Sequence, residues 1–185
     1  MGPADRLPTI DAERLRLRWI EERDVDDLFA IFSDRELLRY WSSGPMSDAE
    51  AARALIARIH DGFREGDLFQ WGIATRDGDR LIGTTTLCGI DRNNGRAEIG
   101  FILRASCHGR GYAREAVAAV VEHAFRAIDL RRIEADVDPR NDASIRLLEA
   151  LGFRREGLLR ERWCVDGKIA DTLFLGLLRK EWEPD

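Results

Sequence analysis

The stretch from Leu103 to Ala113 is the part of the sequence whose residue types and spacing most directly indicate chemistry. Its glycines, Gly109 and Gly111, let the backbone turn tightly and bring its N–H groups close to a ligand. A helix beginning here presents unpaired N–H groups and a partial positive charge in its first turn. Such a junction suits an anion, in particular a pyrophosphate. The cationic or hydrogen-bonding side chains at its rim are those of His108, Arg110 and Arg114.

Two glycines at the start of a helix also occur for purely steric reasons, so a tight turn without a ligand is the alternative interpretation.

Three better-known phosphate-binding or catalytic motifs are absent from the sequence. There is no G-x-x-x-x-G-K-[ST], which excludes a P-loop, and no G-x-G-x-x-G, because Arg114 occupies the last position. No G-x-S-x-G occurs either, so the nucleophile elbow of an α/β-hydrolase is excluded.

A second motif, Asn141-Asp142-Ala143-Ser144, precedes Leu151-Gly152-Phe153. An asparagine before a helix is most simply an N-cap, and Ser144 is then a polar residue of the first turn. Asn141 and Ser144 therefore have a structural interpretation beside any chemical one.

Hydrophobic periodicity predicts the elements that position these residues. The predicted strands are 14–19, 69–75, 81–88, 97–103, 132–137, 153–165 and 169–178. Helices are predicted after Asp24, after the capping box Ser47-Asp48-Ala49-Glu50, from 109–113 to 127, and from 143 to 151. The order β-α-α-β-β-β-α-β-α-β-β predicts an α/β fold with one mixed sheet and a central parallel β-α-β crossover.

Composition limits the class of protein. The chain has 185 residues, 29 Lys and Arg against 34 Asp and Glu, and a net charge of −5. We expect one domain over 1–185, with a flexible N-terminal lead at 1–12, and no dedicated nucleic-acid binding. The longest apolar run, Ala116 to Val121, is too short for a membrane span, and no secretory signal is visible. Three scattered cysteines predict a reduced, cytoplasmic protein without a zinc site.

The two motifs together resemble the GCN5-related N-acetyltransferase superfamily (GNAT). Its signature, [RQ]-x-x-G-x-[GA] at a strand-to-helix junction, is matched here by residues 108–113, with His108 departing from the first position. The resemblance continues through Asn-x-x-[SA] to Leu-Gly-Phe and covers nearly the whole chain. The stretches Glu156 to Arg160 and Gly167 to Asp171 look like the branch that acetylates ribosomal-protein N-termini. The resemblance implies a mostly antiparallel sheet flanked by helices.

It also implies acetyl-CoA as co-substrate, with no metal. The pyrophosphate would bind the N–H groups from Gly109 to Arg114, which include those of Arg110, Gly111, Tyr112 and Ala113. The pantetheine arm would pair with the sheet edge at Phe101, Ile102 and Leu103, where two parallel strands splay. A backbone N–H of that strand would stabilise the oxyanion, and Asn141 would hold the arm.

Two residues are candidate catalytic groups. Glu98 lies on the strand that leads to the oxyanion donor and is the candidate base, the alternative being a solvated or salt-bridged carboxylate. Many relatives place a Tyr acid seven residues after the Asn, where this chain has Leu148. In the ribosomal-protein branch a Ser three residues after the Asn takes that role, and Ser144 matches it; the alternative is a hydroxyl bonded to the backbone.

The acceptor implied by the resemblance is a primary amine, first a protein or peptide N-terminus such as that of a ribosomal protein, then an amino acid, polyamine or antibiotic. Trp41, Trp71 and Asp171 are the candidate acceptor-binding residues. A non-catalytic acyl-CoA-binding domain and an interaction module without a small ligand are the competing functions. We expect no membrane partner, and a monomer or a homodimer.

Overall fold

The computed structural model describes residues 5–182. Its strands are β1 (Ile10–Asp11), β2 (Leu15–Arg18), β3 (Leu68–Thr75), β4 (Leu81–Asp91), β5 (Arg96–Leu103), β6 (Arg132–Val137), β7 (Arg154–Val165) and β8 (Lys168–Leu178). Its α-helices are α1 (Val25–Phe32), α2 (Ala49–Glu65), α3 (Tyr112–Arg126) and α4 (Asp142–Ala150). A 3-10 turn, Leu37–Tyr40, lies between α1 and α2. Within the described residues, no helix combines the length and the apolar character needed to cross a membrane.

The strands of the described chain form one sheet in the order β1-β2-β3-β4-β5-β6-β8-β7. Neighbouring strands are antiparallel, except that β5 and β6 are parallel and are joined through α3. This arrangement confirms the predicted mixed α/β fold, its mostly antiparallel sheet and its central parallel crossover. The extra strand β1 extends the sheet at one edge.

The parallel pairing of β5 with β6 stops before either strand ends. The last paired residues are Glu98 and Glu134, yet β5 continues to Leu103 and β6 to Val137. The two strands diverge beyond this point, which leaves a gap in the middle of the sheet. We call the gap between residues 99–103 and 135–137 the splay.

The two faces of the sheet are covered by different helices. Ile99 and Ala135 belong to the core formed with α3 and α4, whereas Ile102 belongs to the core formed with α1 and α2. Because side chains alternate along a strand, Glu98 and Asp136 project on the face opposite α3 and α4. Both carboxylates thus lie on one side of the sheet, beside the splay.

Residues 5–12, within the lead that is predicted to be flexible, pack against the rest of the chain; residues 1–4 lie outside the described part. Leu7 is buried in the core beneath α3, and the carbonyl of Pro8 accepts a 2.9 Å hydrogen bond from Trp71 Nε1. β1 then pairs with β2. The segment is ordered because it buries an apolar side chain and satisfies the indole of a core tryptophan.

Candidate active site

The splay opens into a cleft of about 510 Å³. Its walls come from β5, the start of α3, the end of β6, the start of α4 and the α1–α2 connection. The cleft therefore joins the glycine junction to the Asn141 motif, although they are far apart in sequence. The predicted site residues that line it are Trp41, Phe101, Ile102, Leu103, His108, Gly109, Gly111, Tyr112, Ala113, Arg114, Asn141 and Ser144.

The backbone of β5 turns hydrogen-bonding groups toward the splay. The N–H of Arg104 donates to the carbonyl of Ile82 on β4 at 2.8 Å. Successive residues of an antiparallel strand direct their N–H and C=O groups to alternate sides. The backbone groups of Leu103 and Phe101 therefore point away from β4, into the splay beyond the last residues of β5 that pair with β6. An extended chain lying there would find a ready strand edge.

His108 engages one of these groups. Its Nε2 lies 2.9 Å from the carbonyl oxygen of Leu103, so an imidazole carrying the proton on Nε2 donates to that oxygen. This hydrogen bond fastens the loop after β5 to the end of the strand, and it leaves the Leu103 N–H facing the splay.

The start of α3 has the geometry of an anion site. Gly109 and Gly111 have φ values of +72° and +79°, in the left-handed region that side chains disfavour. The N–H of Glu115 donates to the carbonyl of Gly111 at 3.1 Å, so the N–H groups of the preceding turn have no intrahelical acceptor. These groups and the positive end of the helix dipole border the cleft.

Arg14, which sequence analysis missed, holds this turn in place. Its Nη1 donates to the carbonyl of Arg110 at 2.8 Å, and its Nε donates to Glu115 Oε2 at 2.8 Å. The guanidinium also lies 4.8 Å from the ring centre of Tyr112. Because Arg14 neutralises Glu115, an acidic residue in the first turn of α3 does not oppose an anion there.

Asn141 and Ser144 form the other wall of the cleft. The Oδ1 of Asn141 caps α4 by accepting the N–H of Ser144 at 3.2 Å, as an N-cap does. Within residues 5–182, neither Asn141 Nδ2 nor Ser144 Oγ has a hydrogen-bond partner. The serine hydroxyl does not bond back to the backbone, so both polar groups remain available to a ligand in the cleft.

The connection between α1 and α2 crosses the splay. Trp41 packs edge-on against Phe32, with ring centres 6.0 Å apart. Next to it, the ring of Tyr40 lies 5.7 Å from the guanidinium of Arg140, after β6. Farther along, Gly44 approaches the β7–β8 turn so closely that a Cβ on it would lie 3.1 Å from Asp166 Oδ2. The connection thus spans the cleft from α1 to the far side.

Glu98 and Asp136 differ in environment. Asp136 lines the cleft, and its side chain is 3% exposed. Burial raises the pKa of Glu98; the charges of Asp136 and Glu134 raise it further, and that of Arg162 lowers it. A carboxylate whose pKa is raised toward neutrality accepts a proton more readily at physiological pH. Glu98 has this property, but it lies within the paired part of β5 and is not among the residues that line the cleft.

Two predicted acceptor residues do not lie in the cleft. Trp71 is fully buried, with its ring edge-on to His123 of α3, so it belongs to the core and does not line the cleft. The carboxylate of Asp171 accepts the N–H of Glu161 at 2.8 Å and supports a bulge in β7. Arg110 also lies outside the lining, where its carbonyl serves Arg14.

The comparisons with known proteins decide the family. The family described as acetyltransferase (GNAT) domain matches residues 14–154. The chain belongs to the GNAT family. The uncharacterized N-acetyltransferase p20 of Bacillus licheniformis is 39% identical over 176 residues, which cover 95% of this chain and 99% of that protein. The [ribosomal protein uS5]-alanine N-acetyltransferase of Escherichia coli is 27% identical over 189 residues, with coverage of 98% and 95%.

A solved structure agrees with the fold. The structure of Mycobacterium smegmatis RimJ in complex with CoA-disulfide has a TM-score of 0.87 and 27% identity; the match covers 94% of this chain and 88% of that one. The predicted family and the prediction of an acetyl-transferring enzyme are confirmed. A Cβ on Gly109 would meet no atom within 4 Å, so its surroundings leave room for a diphosphate. The residues at the start of α3 therefore fit CoA.

Proposed function

We propose that this GNAT enzyme transfers the acetyl group of acetyl-CoA to the α-amine of a protein or peptide N-terminus. The observation that carries the proposal is the splay, where the unpaired edge of β5, the start of α3 and a buried carboxylate meet along one cleft. The similarity to an enzyme named for alanine acetylation of ribosomal protein uS5 supports this class of acceptor.

The α3 end of the cleft holds the co-substrate in this proposal. The N–H groups of residues 109–114 bind the diphosphate, and the outward-facing backbone groups of Phe101, together with the N–H of Leu103, pair with the pantetheine arm. Ile102 contributes its side chain rather than its backbone, because its N–H faces β4. Acetyl-CoA brings a thioester whose carbonyl carbon is open to attack by an amine.

In the chemical step the amine nitrogen forms a bond to the acetyl carbonyl carbon and the C–S bond to CoA breaks, and three groups of the chain assist this exchange. A β5 N–H in the splay donates to the thioester carbonyl oxygen, where negative charge develops. Glu98 takes the proton that the amine must lose, directly or through water. The hydroxyl of Ser144, which has no partner of its own in the described chain, donates to the departing thiolate. Asn141 Nδ2 is placed to hold the arm beside it.

An acceptor screen tests the proposal. Labelled acetyl-CoA is offered with peptides that have a free N-terminus, with the same peptides N-formylated but containing lysine, and with amino acids and polyamines. We expect labelling of the free N-terminal peptides, together with equal release of thiol. Labelling of polyamines alone would assign the cleft to small amines and overturn the proposed acceptor.

Replacing Asn141 with alanine is expected to remove both a helix cap and a contact to the pantetheine arm. The lost cap costs about 1 kcal/mol of stability, whereas the lost contact raises the KM for acetyl-CoA. Asp48→Ala is the matched control, because Asp48 caps α2 through the N–H of Ala51 at 2.9 Å, away from the cleft. If both variants lose stability and neither changes that KM, Asn141 is only a cap.

Replacing Ser144 with alanine is expected to slow turnover about 10- to 100-fold at every pH, because the thiolate then leaves without a proton donor. The exposed Ser106, in the loop before α3, provides a control that retains the wild-type rate after the same substitution. Steady-state kcat over a range of pH measures the effect. An unchanged kcat in Ser144→Ala would show that the thiolate is protonated by another group.

A further inference from the structure

Asp136 lies in the cleft at the splay, where the proposed function places the reacting ends of the acceptor and the co-substrate. It is two residues beyond Glu134, the last residue of β6 that pairs with β5, so it stands at the mouth of the splay. It lines the cleft, and its side chain is 3% exposed. A carboxylate at this depth has lost most of its hydration and needs a positive partner.

The hydrogen bonds of Asp136 hold the carboxylate in place, but they do not balance its negative charge at both oxygens. Oδ1 accepts Trp163 Nε1 at 2.9 Å and the hydroxyl of Thr172, both neutral donors. Oδ2 has a 3.4 Å contact with Arg162 Nε, whose side chain is half exposed. Among residues 5–182 this is the ion pair that Asp136 makes. Oδ2 therefore keeps capacity to accept a hydrogen bond.

Two nearby carboxylates, Glu134 on the same face of β6 and Asp138 just beyond the end of that strand, are paired far more closely. Glu134 accepts Arg96 Nη1 at 3.0 Å and Arg132 Nε at 2.7 Å. Asp138 accepts Arg140 at 2.9 Å on Oδ1 and at 2.6 Å on Oδ2. Of these three carboxylates, that of Asp136 is the most buried and has the longest ion-pair distance.

We infer that Asp136 Oδ2 binds the ammonium group of the acceptor and thereby selects acceptors that enter the cleft as cations. The inference rests on the proposed function, because it assigns the acceptor end of the same cleft. An α-amine, whose ordinary pKa is near 8, is mostly protonated at neutral pH. Asp136 is a binding residue in this assignment, and Glu98 remains the group that receives the proton.

The test is Asp136→Asn, which retains an oxygen for Trp163 and Thr172 but removes the charge. We expect the KM for the amine to rise about 10- to 100-fold, the range for losing a charge-assisted hydrogen bond, while the KM for acetyl-CoA stays near its wild-type value. Glu134→Gln is the control, since it removes a charge from the same strand face outside the cleft. We expect a much smaller change in amine KM there.

The outcomes separate the two proposals. If the wild type acetylates polyamines and not peptides, the proposed acceptor is wrong, and the amine KM of Asp136→Asn still tests the inference with the polyamine. If an amine is acetylated and its KM is equal in wild type and Asp136→Asn, the inference is wrong. A parallel rise of both KM values with a lower melting temperature would reduce Asp136 to a structural role and also overturn it. A wild type that acetylates no amine overturns both.

Discussion

Replacing Gly111 with valine is expected to weaken acetyl-CoA binding by a factor of about 100, equivalent to losing two charge-assisted hydrogen bonds of about 1.5 kcal/mol each. At φ +79° a β-branched side chain is strained, so the turn is expected to shift and to carry the N–H groups of the α3 start away from the diphosphate. The new Cβ would also lie 3.2 Å from Nη2 of Arg14. Isothermal calorimetry with acetyl-CoA measures the loss.

Gly66→Val separates ligand loss from strain. Gly66 has almost the same φ, +78°, with no atom within 4 Å of an added Cβ, and it ends α2 away from the cleft. Both variants are expected to lose about 1–2 kcal/mol of stability, but only Gly111→Val loses affinity. Equal affinities in the two folded variants would contradict the diphosphate site.

Replacing Glu98 with glutamine is expected to slow acetyl transfer by about 100-fold at low pH, the lower end of the range for a general base. The rate should recover partly as the pH approaches the pKa of the amine, because deprotonation then needs no help. In the wild type, the raised pKa of Glu98 places the acid limb of the profile above that of an ordinary glutamate. Profiles of kcat/KM against pH show the difference.

Stability provides an independent check on Glu98. Because folding raises its pKa, the neutral form favours the folded state, and this contribution is present at low pH and lost as the pH rises through the folded pKa. Glu98→Gln keeps a neutral side chain, so its free energy of unfolding at neutral pH should equal or exceed that of the wild type. Slower turnover therefore cannot come from unfolding. A wild-type pH profile in Glu98→Gln would instead rule it out as the base.

Glu134→Gln is the matched control for the Glu98→Gln variant. The charge of Glu134 is one of those that raise the pKa of Glu98, so its removal should move the acid limb slightly to lower pH and leave the plateau near its wild-type height. A large loss of rate in Glu134→Gln would mean that the face of β6 as a whole, rather than Glu98, supports the chemistry.

Local sequence patterns predict the helices and strands well, but they predict less well which strands lie side by side in the sheet. Asp77-Gly78 and Asp166-Gly167 correctly mark the hairpins β3–β4 and β7–β8, because turn residues act over a few positions. The placement of β8 between β6 and β7 has no local signal. Strand order depends on which surfaces pack together over the whole chain, and the same holds for the ordering of residues 5–12 by the core.

The residues of the candidate site likewise include some that have a local sequence signal and some that depend on distant contacts. Gly109, Gly111 and Asn141 belong to short motifs whose backbone geometry is local, so their spacing predicted the tight turn and the helix cap that the structure shows, whereas their roles toward a ligand come from the family resemblance. Alternation along β6 places Asp136 on the face of Glu98, a signal that sequence analysis could have used, but its burial depends on strands β7 and β8. The contacts of Arg14 had no signal, because its partners lie 96 and 101 residues away.

The connection between α1 and α2 gives the acceptor side of the cleft a roof. It runs from α1 to contacts beside Arg140 and Asp166 on the far side of the splay, so the space beneath it is a passage rather than an open trough. A chain end can be threaded lengthwise through such a passage. A lysine in the middle of a folded domain would have to bring two strands of backbone under the same roof. Under the proposed function, this covering explains why the cleft would take slender acceptors that enter end-on.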